Sequence, residues 1–206
     1  MTDPLTDTDP DPRLDSAAAC LVQGGVIVVP TDTVFGLAVL PERAASVARL
    51  FALKDRPTVK NLPVMVSDAD QLRALGVRMT DAVTRLLDSP FIPGALTLAV
   101  ALDGPCPDWL AGRDEIAFRI PDDAFLRALI ARTGPLFVTS ANRSGQPTPT
   151  ALEEVLAQLT AAPDMALDGR VTGDTPSTLI NLNATPPKVE REGAIPPAEI
   201  FAWLEG

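Results

Sequence analysis

Histidine and tyrosine are both absent from the sequence. Without histidine, neither a Ser-His-Asp nor a Cys-His nucleophilic relay can be assembled. Histidine-based metal sites are excluded as well. Cysteine is nearly absent: Cys20 and Cys106 are far apart and match no zinc or redox spacing. They read as two reduced, inert thiols. That usage, with no secretory hydrophobic region, points to a cytoplasmic protein. No apolar run approaches the ~20 residues that span a bilayer. Positive charge is also scarce: 17 Lys and Arg stand against 27 Asp and Glu, a formal net charge of −10. An acidic surface does not suit a protein whose main task is to grip nucleic-acid backbones. Any polyanion site must therefore be a local basic pocket.

What is present is ample apolar material. The 206 residues are 46% hydrophobic, enough for one domain with a sizeable core. The acidic, proline-rich start reads as a disordered tail over 1–13, followed by one domain over 14–206. A helix is expected from Leu14 to the glycine pair Gly24-Gly25. The β-branched run Val26 to Val29 reads as a buried strand, and Gly36 to Leu40 as a second. Pro41 suits the first turn of a helix running to Leu53. Further strands are expected at Pro63 to Val66, Leu96 to Leu102, Ile116 to Ile120, Leu136 to Thr139, Met165 to Leu167, Thr178 to Leu182 and Lys188 to Arg191. Helices are expected at Ala69 to Leu75, Asp81 to Leu87, from Asp122-Asp123 to Arg132, at Ala151 to Leu159 and at Pro197 to Leu204. Several strands follow one another without a helix between them. That predicts an α+β (α/β layered) single domain: a twisted, mixed β-sheet flanked by helices, not a doubly wound parallel sheet.

Five segments next to expected strands carry chemistry, as strand ends in such folds do. In PTDTVFG, Pro30 to Gly36, a strand runs into two hydroxyls and a carboxylate; the same residues also make a turn in which Asp32 holds its own backbone. KDRPTVK, Lys54 to Lys60, places three cations within seven residues. Such cations suit phosphate, and they equally suit a solvated helix C-terminus. Arg119 ends a strand among apolar neighbours, either exposed or reaching a ligand carboxylate. TSANRSGQPTPT, Thr139 to Thr150, opens a buried strand into small residues and hydroxyls of the kind that cradle oxyanions. The last pair is Ser177 before a strand and Arg191 at the end of one. No Walker A or GxGxxG turn occurs.

Taken in order, these segments resemble the YrdC family, the threonylcarbamoyl-AMP synthases. The resemblance runs from about Leu14 to Ile195. It covers PTDTVFGL, KDRP with Lys60 beyond it, PGALT at Pro93 to Thr97, the RIP at Arg119 to Pro121, SANRSG at Ser140 to Gly145, STLIN at Ser177 to Asn181, and REG at Arg191 to Gly193. Each motif alone is weak; seven in order are specific. The chain stops near Gly206, like the short form of the family, which lacks an extra C-terminal domain. The resemblance implies a YrdC/RibB-like fold and a nucleotidyltransferase. L-threonine, bicarbonate or CO2, and ATP would give threonylcarbamoyl-AMP and pyrophosphate, for a downstream tRNA threonylcarbamoyl transferase acting on adenosine 37. It implies that Thr31, Thr33, Arg119 and Ser177 bind threonine. Lys54, Arg56, Lys60, Ser140, Asn142, Thr148 and Arg191 would bind ATP, with Lys54 and Arg56 as the catalytic cations. Mg2+ would be held mostly by phosphates and water, without protein side chains. The sequence departs from the family at Phe35, where tyrosine is common, at Met65, where some members have histidine, and at Asn181, where aspartate is common. An alternative is a non-enzymatic double-stranded RNA, tRNA or ribosome-associated binding protein, against which the net charge argues. A different acyl-adenylate, of the kind made in hydrogenase maturation, is a further alternative.

Overall fold

The computed structural model describes residues 11–56 and 61–206. Helix α1 (Pro12–Val22) opens with proline at its start and with the Asp11 side chain accepting from the Arg13 amide. Both are favourable start signals. It begins two residues before the expected Leu14, inside the stretch read as a tail. Strands β1 (Ile27–Val29) and β2 (Gly36–Val39) pair antiparallel, Ile27 with Ala38 and Val29 with Gly36. Helix α2 (Ala44–Leu53) starts three residues after Pro41, with Arg43 at its cap. Then come β3 (Val64–Met65), α3 (Ala69–Ala74), α4 (Asp81–Leu87), β4 (Leu96–Ala101) and β5 (Glu115–Arg119). A 3-10 turn, Asp108–Leu110, lies between β4 and β5 and has no counterpart in the sequence reading. Asp123 caps α5 (Ala124–Thr133) by accepting from the Leu126 amide at 2.7 Å. The chain ends with β6 (Leu136–Ser140), α6 (Leu152–Gln158), β7 (Met165–Ala166), β8 (Thr178–Asn181), β9 (Lys188–Arg191) and α7 (Pro197–Glu205).

All nine strands form one sheet in the order β7-β1-β2-β6-β3-β5-β4-β8-β9. The pairs β1–β7, β3–β5 and β4–β8 are parallel and the others antiparallel, so the sheet is mixed, as expected. Among the described residues, no helix is long and apolar enough to cross a membrane.

Alternation along the strands divides the core in two. One face carries Val28, Leu37, Val64, Leu98, Phe118 and Ile180 into the larger cluster, which runs under the whole sheet. The opposite face sends Ile27, Val29, Ala38, Met65 and Val138 against α1 and α5, through Leu21, Leu126 and Ile130. That second helical layer draws on no residue of β4, β5 or β8. Beyond its edge the same face presents Thr97, Ala117, Arg119 and Leu179 to a cavity. The site lies where one layer of helices ends and the sheet continues.

Candidate functional site

The cavity measures about 290 Å³. Its floor is the uncovered sheet face, and its rim is made of the loops that leave β1, α2 and β6. Three arginines line it, Arg56, Arg119 and Arg191, and among the described lining residues there is no Asp or Glu. A basic pocket in an acidic chain is thus present. An adjoining hollow of about 320 Å³ shares Asn61, Leu62, Ala117 and Leu179 with it.

Arg119 anchors one half. It is 4% exposed, so it is not the exposed strand residue that the sequence left open. Its Nε donates to the Gly94 carbonyl at 2.8 Å, and its Nη1 to Thr33 Oγ1 at 2.8 Å. Nη2 lies 2.7 Å from Asp32 Oδ1, an ion pair by distance without the alignment of a hydrogen bond. Burial pushes the guanidinium below its ordinary pKa, and Asp32 opposes that shift.

The PTDTVFG loop owes its shape to Thr31. Its hydroxyl donates to the Val34 carbonyl at 2.8 Å and accepts from the Thr33 and Val34 amides. The Thr31 and Thr33 hydroxyls lie 3.0 Å apart, and either can donate to the other. Thr33 also accepts from Arg119, and both threonines line the cavity. Gly36 lets the loop close over the sheet, since a Cβ there would meet Val138 Cγ1 at 2.7 Å.

Ser177 and Arg191 stand across the floor. Arg191 donates through Nε and Nη2 to the Ser177 carbonyl, at 3.0 and 2.7 Å, and through Nη2 to Ser177 Oγ at 3.0 Å. Burial lowers the Arg191 pKa, and the charge of Arg119 adds to the shift. Gly193 makes this approach possible. A Cβ at that position would lie 2.4 Å from backbone atoms of residues 176–178.

The other half gathers at the end of β6. Arg56 donates to Thr139 Oγ1 at 3.0 Å and lies over the Phe51 ring, 5.8 Å from its centroid. Its Nε is buried without a hydrogen-bond partner, and burial lowers its pKa. Ser140 and Thr148 line the same wall.

Lys54 and Asn142 do not line the cavity. Lys54 is 2% exposed. Its ammonium donates to the Ser140 carbonyl, to the Asn142 carbonyl at 2.8 Å and to Asn142 Oδ1 at 3.1 Å. Three donors meet three oxygens. Asn142 in turn donates to the Arg143 and Gln146 carbonyls and accepts from Ser140 Oγ at 2.6 Å. Both residues shape the loop from behind the wall. Burial, with Arg56 nearby, pushes the Lys54 pKa down to about 7. Lys60 lies outside the described residues.

Thr97 and Thr139 also line the cavity, although the sequence reading gave neither a role. The motif PGALT, which ends on Thr97, was the available signal for that residue.

Comparison with known proteins places this geometry. The family model Sua5/YciO/YrdC, described as "Telomere recombination", matches residues 19–193. A threonylcarbamoyl-AMP synthase of Bacillus subtilis (strain 168) is 34% identical over 208 residues, covering 99% of this chain and 59% of its own length. A threonylcarbamoyl-AMP synthase of Stutzerimonas stutzeri (strain A1501) is 39% identical over 140 residues, covering 66% of this chain and 74% of its own. The solved structure of P. abyssi Sua5 complexed with L-threonine superposes with a TM-score of 0.84 at 29% identity. That match covers 93% of this chain and 57% of that one. The chain thus spans well under two thirds of the Bacillus and P. abyssi proteins. With a family match over most of its length and a cavity built from that family's motifs, the chain belongs to the Sua5/YciO/YrdC family.

Proposed function

We propose that this protein is a threonylcarbamoyl-AMP synthase, converting L-threonine, bicarbonate or CO2, and ATP to threonylcarbamoyl-AMP and pyrophosphate. One observation carries the reading. A single cavity joins a buried arginine with hydroxyls on one side, suited to an amino acid, to arginines and strand-end hydroxyls on the other, suited to polyphosphate. The relatives named for this reaction support it, as does the threonine bound to the P. abyssi neighbour.

On this reading Arg119 pairs with the threonine carboxylate, and Ser177 contacts it from across the floor. Thr33, whose hydroxyl lines the cavity beside Arg119, contacts the amine or the hydroxyl of the substrate. The deprotonated amine adds to CO2 and loses a second proton, leaving a carbamate. A carbamate oxygen forms the new bond to the α-phosphorus of ATP, and the bond to pyrophosphate breaks. Arg56, Arg191, Ser140 and Thr148 neutralise and orient the phosphates, with Lys60 assigned there from sequence. The nucleoside has room in the adjoining hollow. Positioning and charge neutralisation are the protein's contribution to such a displacement, which suits a chain without histidine. Lys54 and Asn142 serve by holding the β6 loop rather than by touching phosphate.

Mg2+ enters with ATP as the MgATP substrate. Phosphates and water would supply its ligands. The product would pass to a tRNA threonylcarbamoyl transferase.

Pyrophosphate release by the purified protein is the test. Release that requires ATP, L-threonine and bicarbonate together is expected. Release independent of either threonine or bicarbonate would overturn the assignment.

A further inference from the structure

The hydroxyls of Thr97 and Ser177 lie 2.6 Å apart. Both residues are buried, 4% and 5% exposed, and both line the cavity. Two hydroxyls bring two protons, and one is used between them. Arg191 is a donor only, so its 3.0 Å contact occupies a lone pair of Ser177 Oγ and takes no proton. Among the described residues neither hydroxyl donates anywhere else. One proton of the pair is therefore left with no acceptor but what enters the cavity.

The sheet register says what lies beside that proton. Strands β4 and β5 pair Ala99 with Ala117 and Leu98 with Phe118. Thr97 and Arg119 lie one residue beyond the Leu98–Phe118 pair; by alternation both face the same side of the sheet, and both line the cavity. A buried guanidinium and a hydroxyl donor thus line the same stretch of the cavity floor. The group that satisfies both is an anion with two acceptor oxygens, a carboxylate.

We propose that Thr97 is a specificity-determining residue for the substrate carboxylate: the Thr97–Ser177 pair donates its remaining proton to the carboxylate held by Arg119. The proposal rests on the threonine synthase reading and deepens it. It makes β4 a contributor to recognition.

Isothermal titration of the full chain with L-threonine and with threoninol, which has a CH2OH in place of the carboxylate, tests it. Thr97→Val keeps the shape and removes the hydroxyl. It should weaken L-threonine about tenfold or more, the scale of one hydrogen bond to a charged group, and leave threoninol unchanged. Thr97→Ser should restore the preference for the carboxylate. Ser177→Ala should show the same selective loss, and the double variant should lose less than the sum of the two. If valine disturbs folding, Thr97→Ala supplies the same comparison. Equal weakening of both ligands by Thr97→Val, or no weakening of L-threonine, would overturn the role of Thr97. A wild-type protein that does not prefer L-threonine to threoninol would instead overturn the amino-acid assignment of the site.

Discussion

A charged residue type is visible in sequence, but its partner is not. Lys54 shows the difference. KDRP marked a cation beside a strand, and a phosphate was the natural partner to infer. In the fold the ammonium is buried under the β6 loop, with three backbone and side-chain oxygens around it. Arg119 went the other way: alternation along the strand left it open between solvent and ligand, and the register decided for the cavity. Thr31 and Thr33 were grouped together from sequence, and both line the cavity; the structure adds that Thr31 also shapes the loop and that Thr33 accepts from Arg119. Burial of Lys54 has a measurable consequence. Its folded pKa, about 7, lies below the ordinary lysine value of 10.5. Between those values the unfolded chain binds a proton that the folded chain does not. Stability therefore rises with pH across that window. Below about pH 7 both states are protonated and the cost of burying the charge is present in full. Urea denaturation at pH 7 and at pH 9.5 should show wild type gaining on Lys54→Met as pH rises. A stability difference that stays constant between the two pH values would show that Lys54 remains charged in the fold throughout.

Elements were more legible than partners, because periodicity and capping are local. The β-branched run of β1 and the Asp123 cap of α5 could be read directly. Boundaries slipped where a signal had two uses. Pro41 suits a helix start, but the chain makes a turn there and α2 begins at Ala44. The 3-10 turn at Asp108–Leu110 is too short to carry a period. The partnership of β8 with β9 depends on a contact that no pattern announces. Gly193, just past β9, lies against the backbone of residues 176–178 with no space for a side chain. Gly193→Ala must push the backbone after β9 and the start of β8 apart, displacing Ser177 relative to Arg191. Overpacking of this kind costs about 1–3 kcal/mol. The expected outcome is a lower urea midpoint together with a raised KM for L-threonine. Because the displaced backbone carries Ser177, a variant with unchanged midpoint and unchanged KM would show that the loop gives way without moving the site.

At the scale of the molecule, charge and layering work together. Composition alone required that any anion site be local, and the fold shows how locality arises. The α1/α5 layer stops short of β4, β5 and β8, leaving a bounded depression in which three arginines collect. Which strands would be left uncovered could not be read from sequence, since it depends on the order β7-β1-β2-β6-β3-β5-β4-β8-β9, in which most neighbours are distant along the chain. The chain as a whole carries a net charge of −10. On the proposed reading the nucleotide binds within the depression, where charges a few ångströms away dominate. A tRNA must lie across the acidic exterior, at distances where the net charge repels it until salt screens the field, over a Debye length of about 8 Å at physiological ionic strength. The two polyanions should therefore behave differently. Excess tRNA should leave the KM for ATP unchanged, at both 50 and roughly 200 mM salt. The RNA-binding alternative requires the opposite result: tRNA competing with ATP at low salt, with the competition fading steeply as salt rises. Initial-rate measurements at the two salt concentrations separate these outcomes, because counterion release makes a true multi-phosphate contact lose affinity by orders of magnitude over that range.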